Sequence, residues 1–148
     1  AKKILIVDDD PDILELLFYN LEKQGYEVRI IDNPRYALTA CLSFLPDLII
    51  LDVMMPEING LSLCQEIRRR ETFKKTHIYF LSSRSETFIK DAAMRSGGDE
   101  YIEKLSGNDP SVKRLQVIWD LIFQGFAGLH GISCRVIYFN PSGITNHD

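Results

Sequence analysis

Three aspartates in a row, Asp8-Asp9-Asp10, follow the apolar run Ile4-Leu5-Ile6-Val7, and a fourth, Asp52, follows Leu48-Ile49-Ile50-Leu51. Ser82 and Ser83 follow Ile78-Tyr79-Phe80-Leu81, and Lys104 follows Tyr101-Ile102-Glu103. Carboxylates brought together repel, so one must take up a proton or a cation must bind between them. Mg²⁺ suits such a group, because it prefers a few carboxylates, retained waters and phosphate oxygens. An aspartate can also attack a phosphoryl group to give an acyl phosphate. That transfer depends on in-line positioning and on neutralising the phosphoryl oxygens. Asp8, Asp9 and Asp52 would form the metal side. The Lys104 ammonium and the Ser82 hydroxyl would meet charge as it develops in the transition state. Asp10, directly before Pro11, is expected to cap a helix.

Such a site exists only if the four runs are neighbouring strands of one open parallel sheet, which gathers its ligand residues at the carboxyl ends of its strands. The pattern supports this. Lys2–Val7 reads as a buried strand, apolar on both faces. A helix follows with Ile13, Leu14, Leu17 and Leu21 on one stripe, and Gly25 ends it. Tyr26–Ile31 is a second strand. Asn33-Pro34 opens a second helix with Ala37, Leu38, Cys41 and Leu42 inward, and Pro46 stops it. Asp47–Leu51, the most apolar run, is a third and central strand. The turn-rich segment from Met54 to Gly60 is a loop, followed by a helix to Arg70. His77–Leu81 is a fourth strand, a helix spans about Glu86–Ser96, and Gly97-Gly98 stops it. Glu100–Lys104 is a fifth strand, and Ser111–Gln124 a fifth amphipathic helix carrying Trp119. Strict alternation argues for an α/β domain with a parallel sheet covered on both sides. Arg135–Phe139 reads as one more strand and Asn140-Pro141-Ser142-Gly143 as a turn, with no chemistry in view.

The chain's 148 residues suit one such domain, at 45% hydrophobic and 26% charged residues. The net charge of −4 falls before residue 106, where 18 acidic residues outnumber 14 basic ones; the remainder holds 3 of each. No basic block marks a nucleic-acid surface. Arg68-Arg69-Arg70 with Lys74-Lys75 reads as a solvated helix end that complements the helix dipole. Cys41, Cys64 and Cys134 are odd in number and far apart; the first two read as small buried hydrophobes, fitting a reducing cytoplasm. No apolar run reaches the length of a membrane span, and Ala1-Lys2-Lys3 enters a strand at once, so neither membrane nor signal peptide is expected.

Val7-Asp8-Asp9, Leu51-Asp52-Val53-Met54-Met55-Pro56 with Gly60, Ser82, and Gly97-Gly98-Asp99-Glu100-Tyr101-Ile102-Glu103-Lys104 together resemble the receiver domain of bacterial two-component response regulators. The spacings agree: 43 residues from Asp9 to Asp52, 30 from Asp52 to Ser82 and 22 from Ser82 to Lys104. The resemblance covers about residues 2–124. It implies a flavodoxin-like, doubly wound five-stranded sheet of order 2-1-3-4-5 with five helices. Residues 1–124 would be the receiver domain and 125–148 an extension or linker. It also implies that Asp52 accepts a phosphoryl group from a sensor histidine kinase or a phosphotransfer protein. Asp9, Asp52 and the Met54 carbonyl would hold Mg²⁺ directly, with Asp8 reaching it through water. Ser82 would be the switch hydroxyl, Tyr101 the aromatic that turns inward behind it, and Lys104 the phosphoryl-side cation. Met54 and Arg84 would flank the route of attacking water. The face of the fourth helix, fifth strand and fifth helix would change on phosphorylation and could pair two copies.

Leu105 stands where the family usually has proline. A non-proline cis bond costs about 3 kcal/mol, so the peptide after Lys104 is expected to be trans. Gly98 and Ser83 stand where alanine is common. Two other readings compete. A degenerate receiver would bind partners without phosphorylation, but the intact Asp8, Asp9, Asp52, Ser82 and Lys104 argue against it. Asp8-x-Asp10 also resembles the nucleophile motif of haloacid-dehalogenase-type phosphatases. That motif expects threonine or valine where Asp12 stands, and the chain has no cap insertion.

Overall fold

The computed structural model describes residues 2–103, together with the backbone of residues 136–140 and 143–147. Five strands, β1 (Lys3–Val7), β2 (Glu27–Ile31), β3 (Leu48–Leu51), β4 (His77–Ser82) and β5 (Glu100–Glu103), form one sheet of order β2-β1-β3-β4-β5. Every pairing is parallel. Among the described residues the α-helices are α1 (Pro11–Lys23), α2 (Ala37–Phe44), α3 (Gly60–Arg68) and α4 (Thr87–Arg95). The expected fold class and strand order hold, with β3 central and buried throughout. The fifth helix, at Ser111–Gln124, lies outside the described residues, as do Lys104, Leu105 and Cys134.

Strand side chains alternate between two cores, as the pleat requires. Ile4, Ile6, Leu48 and Ile50 pack with Leu14, Leu17 and Leu21 of α1. Leu5, Val7, Ile49 and Leu51 pack on the opposite face with α2, α3 and α4. Both cysteines behave as small hydrophobes; burial pushes the Cys41 thiol up to about 12 and that of Cys64 to about 11.

The helix boundaries follow from capping. Asp10 accepts a hydrogen bond from Asp12 N–H at 3.0 Å with Pro11 in the first turn. Helix α1 ends in a Schellman pair: Gly25 N–H donates to Glu22 O and Tyr26 N–H to Leu21 O, with Gly25 at φ +94°. Helix α4 ends the same way, Gly97 N–H donating to Met94 O and Gly98 N–H to Ala93 O.

Three expectations need correction. Leu42 is not inward but 48% exposed. Helix α2 starts at Ala37, after a 3-10 turn over Pro34–Tyr36, and its phase buries Ala37 and Cys41 as expected, with Ala40 and Phe44 rather than Leu42 beside them. The third helix ends at Arg68, short of Arg70, and a 3-10 turn over Glu71–Phe73 follows. Arg68 is not solvated: its guanidinium donates to Gly97 O, Phe73 O and Thr76 O and pairs with the Asp99 carboxylate.

Near the C-terminus, β6 (Val136–Asn140) and β7 (Gly143–His147) pair antiparallel, with Val136 opposite His147 and Asn140 opposite Gly143. The strand expected at Arg135–Phe139 is present as Val136–Asn140, while Pro141 and Ser142 of the expected turn lie outside the described residues. The return strand went unforeseen because Gly143-Ile144-Thr145-Asn146-His147 carries almost no apolar signal.

Candidate functional site

The ladder between β1 and β3 sets the acidic group. Asp52 N–H donates to Val7 O at 3.1 Å, which carries strand geometry one residue beyond Leu51 and brings Asp52 beside the turn at Asp8 and Asp9. Carboxylate oxygens of Asp8, Asp9 and Asp52 all lie within 4.8 Å of one another. Asp8 and Asp52 are buried, while Asp9 is exposed. Three acceptor-only groups this close, two of them withdrawn from water, make a hard-cation pocket; the donor set is oxygen alone. Asp8 Oδ1 also accepts the Asp10 N–H at 2.9 Å, and Asp52 Oδ1 the Met54 N–H at 3.3 Å, so both carboxylates are oriented by the chain around them.

The loop after Asp52 folds back tightly. Met54 bridges to Asn59, Gly60 N–H donates to Val53 O at 2.8 Å, and Asn59 caps α3 by accepting Leu61 N–H at 2.7 Å. Within it Ile58 N–H donates to Pro56 O at 2.8 Å across Glu57, whose φ is +70°. That is a γ-turn of the strained hand, which a Cβ disfavours. Glu57 also forms an exposed ion pair with Arg35, which contributes little. Comparing two substitutions separates these effects, since both remove the ion pair. Glu57→Gly is expected to be more stable than Glu57→Ala by about 1 kcal/mol, read from urea midpoints. Equal stabilities would show that the turn carries no strain.

Ser82, at the end of β4, is fully buried and accepts Arg84 N–H at 3.2 Å. The Tyr101 hydroxyl donates to Arg84 O at 2.7 Å. Burial raises the Tyr101 phenol, and contact with the Ser82 hydroxyl pulls it the other way. One backbone unit, Arg84, therefore ties Ser82 to Tyr101. Its side chain turns elsewhere, forming a two-toothed ion pair with Glu86 that holds the Glu86 carboxyl down at about 2. Tyr101 stands opposite Phe80 in the β4–β5 register, their ring centroids 6.4 Å apart. This Phe80 backing escaped the sequence reading, because an apolar strand residue carries no sign of what its ring supports.

The fold and site thus define a doubly wound α/β domain with an acidic crevice at the carboxyl ends of its central strands. The response regulator receiver domain model matches residues 4–116, so the chain belongs to that family and hence to phosphorylation-dependent two-component signalling. It is 39% identical over 103 residues to the alkaline phosphatase synthesis transcriptional regulatory protein PhoP of Bacillus subtilis, covering 70% of this chain and 42% of that protein. It is also 39% identical over 102 residues to the response regulator ArlR of Staphylococcus saprophyticus, covering 69% of this chain and 45% of that one. The chain therefore spans less than half the length of these curated relatives. A crystal structure of a putative response regulator from Chloroflexus aurantiacus superposes with a TM-score of 0.66 at 35% identity, over 70% of this chain and 85% of that one. Receiver domains bind a divalent metal at an acidic pocket, and Asp8, Asp9 and Asp52 form an acidic cluster here. No helix among the described residues is long and apolar enough to cross a membrane.

Proposed function

We propose that this chain is a cytoplasmic phosphorylation switch in which Asp52 accepts a phosphoryl group from the phosphohistidine of a sensor kinase or phosphotransfer protein. The observation that carries the reading is the meeting of Asp8, Asp9 and Asp52 within 4.8 Å, beside a strand that ends in Ser82. Asp9 and Asp52, with the Met54 carbonyl, would hold Mg²⁺, and Asp8 would act through water. When bound, the ion neutralises the carboxylates and the phosphoryl oxygens. A carboxylate oxygen of Asp52 forms the new O–P bond as the P–N bond to the histidine breaks, and the imidazole leaves with that electron pair. The Asp10 N–H on Asp8 and the Met54 N–H on Asp52 hold the two buried carboxylates in fixed poses, so little reorganisation is needed at the moment of transfer. The Ser82 hydroxyl takes one phosphoryl oxygen and Lys104 another. Later attack of water on the acyl phosphate returns Asp52, which makes the domain a slow catalyst of its own reset. Residues 1–124 form the receiver and 125–148 an extension. Output runs through the face of α4, β5 and the fifth helix expected at Ser111–Gln124, through which two copies can pair.

The test is the mass of the intact chain. With Mg²⁺ and a small acyl phosphate donor it gains one phosphoryl group, and Asp52→Asn or removal of the metal by a chelator abolishes the gain. Labelling of Asp52→Asn to the level of the unaltered chain would remove Asp52 as the acceptor.

A further inference from the structure

Gly98 is not needed for a left-handed turn, yet a Cβ there would meet the Phe80 ring at 2.7 Å from Cε2 and 2.8 Å from Cδ2. The Cβ would also stand 3.0 Å from Ala93 O, a backbone atom held by the Gly98 N–H bond that closes α4. Gly98 thus leaves the space that the edge of Phe80 fills. The Phe80 ring, 0% exposed, lies tilted by 32° to the ring of Tyr101 on the neighbouring strand. Tyr101 is half-buried over it, with its hydroxyl anchored on Arg84 O. None of these contacts involves Asp52 or anything placed on it.

We propose that Gly98 and Phe80 are positioning residues that build an inward seat for Tyr101 by packing alone, so that the switch leans toward its inward position before any phosphoryl group arrives. The proposal rests on the reading of Tyr101 as a switch residue. Gly98 acts only through Phe80: it admits the ring, and the ring supports Tyr101. Phosphorylation then tightens an equilibrium already biased inward, because a ligand shifts a two-state element only by its differential interaction with the two states.

The experiment uses the full chain without donor, with labelled tyrosine rings, and with Tyr101→Phe to assign the signal. Cross-relaxation from the Tyr101 ring to the Arg84 backbone, a contact whose atoms every variant keeps, reports the inward position and should be strong in the unaltered chain. Gly98→Ala adds a methyl to a filled core, and should lower the ratio of inward to outward Tyr101 roughly tenfold. Phe80→Leu removes the seat and should lower it comparably. The double variant should be no worse than Phe80→Leu alone. An unchanged Tyr101 signal in Phe80→Leu overturns the proposal. So does an equal further loss when Gly98→Ala is added to Phe80→Leu, since Gly98 would then act elsewhere. If Gly98→Ala does not fold, Phe80→Leu alone decides. A chain that shows these shifts but gains no phosphoryl mass supports the packing and overturns only the acceptor reading.

Discussion

Gly60→Ala is expected to destabilise the domain by about 3 kcal/mol, at the upper end of overpacking costs, and to slow phosphoryl incorporation at Asp52. Helix propensity points the other way. Gly60 opens α3, and alanine gains up to about 1 kcal/mol over glycine in a helix interior. Sterics outweighs it. A Cβ at residue 60 would stand 2.0 Å from Asp52 O, 2.9 Å from Asp52 C and 3.0 Å from Val53 Cα. All three are backbone atoms of the segment that carries Asp52, the proposed acceptor, so no side-chain rotation relieves the clash. Either the Gly60 N–H bond to Val53 O breaks or the Asp52 peptide moves. The carboxylate triad depends on that peptide, and a displacement near 1 Å can cost about a hundredfold in rate. A urea midpoint and the rate of mass gain from a small acyl phosphate donor, per folded molecule, measure the two effects. A midpoint at or above that of the unaltered chain would mean that the close approach is soft and propensity decides.

The same contrast explains what the sequence revealed. Strands β1, β3 and β4 were legible because they are short, apolar runs with a polar residue at the end, and that residue is where the sheet places its chemistry. Asp8, Asp9 and Asp52 could be joined into one pocket because parallel topology forces those ends together. Gly60 appeared in the sequence as a turn residue, but its approach to Asp52 O belongs to tertiary geometry. Leu42 was misplaced because a short apolar helix offers two faces, and only the starting phase at Ala37 selects between them. The seat under Tyr101 was hidden for a related reason. Phe80 and Gly98 are 18 positions apart, and their fit depends on where α4 closes. Arg68 was misread most fully. In a run of three arginines nothing local distinguishes the one that turns inward.

That arginine carries the second large effect. Arg68→Ala is expected to cost about 3 kcal/mol: a hydrogen bond to a charged group contributes roughly 1.5–3 kcal/mol net, and water entering the space left by the side chain takes over part of the carbonyls' demand. The Arg68 side chain is only 17% exposed. Its Nε–H donates to Gly97 O at 2.9 Å, and Nη1 reaches Phe73 O at 2.7 Å and Thr76 O at 2.6 Å. Nη2 pairs with Asp99, whose carboxylate also takes the Ile78 N–H at 2.8 Å. One guanidinium thus joins the end of α3, the turn before β4 and the loop between α4 and β5. The Asp99 pair contributes the smaller part, because that carboxylate is 43% exposed and screened. The three carbonyls dominate, as they lose a fixed donor. Gly97 reinforces the arrangement: at φ +112° it lets the arginine stem pass where a Cβ would stand 2.6 Å from Arg68 Cγ. Arg68→Lys should recover less than half of the loss, since a single ammonium cannot reproduce the planar fork. Arg68 sits before β4, at the end of the sheet away from Asp52, so the folded fraction of either variant should still take up one phosphoryl group. A urea midpoint shift worth under 1 kcal/mol for Arg68→Ala, or full recovery with lysine, would return the residue to the solvated helix end that its neighbours in sequence suggest.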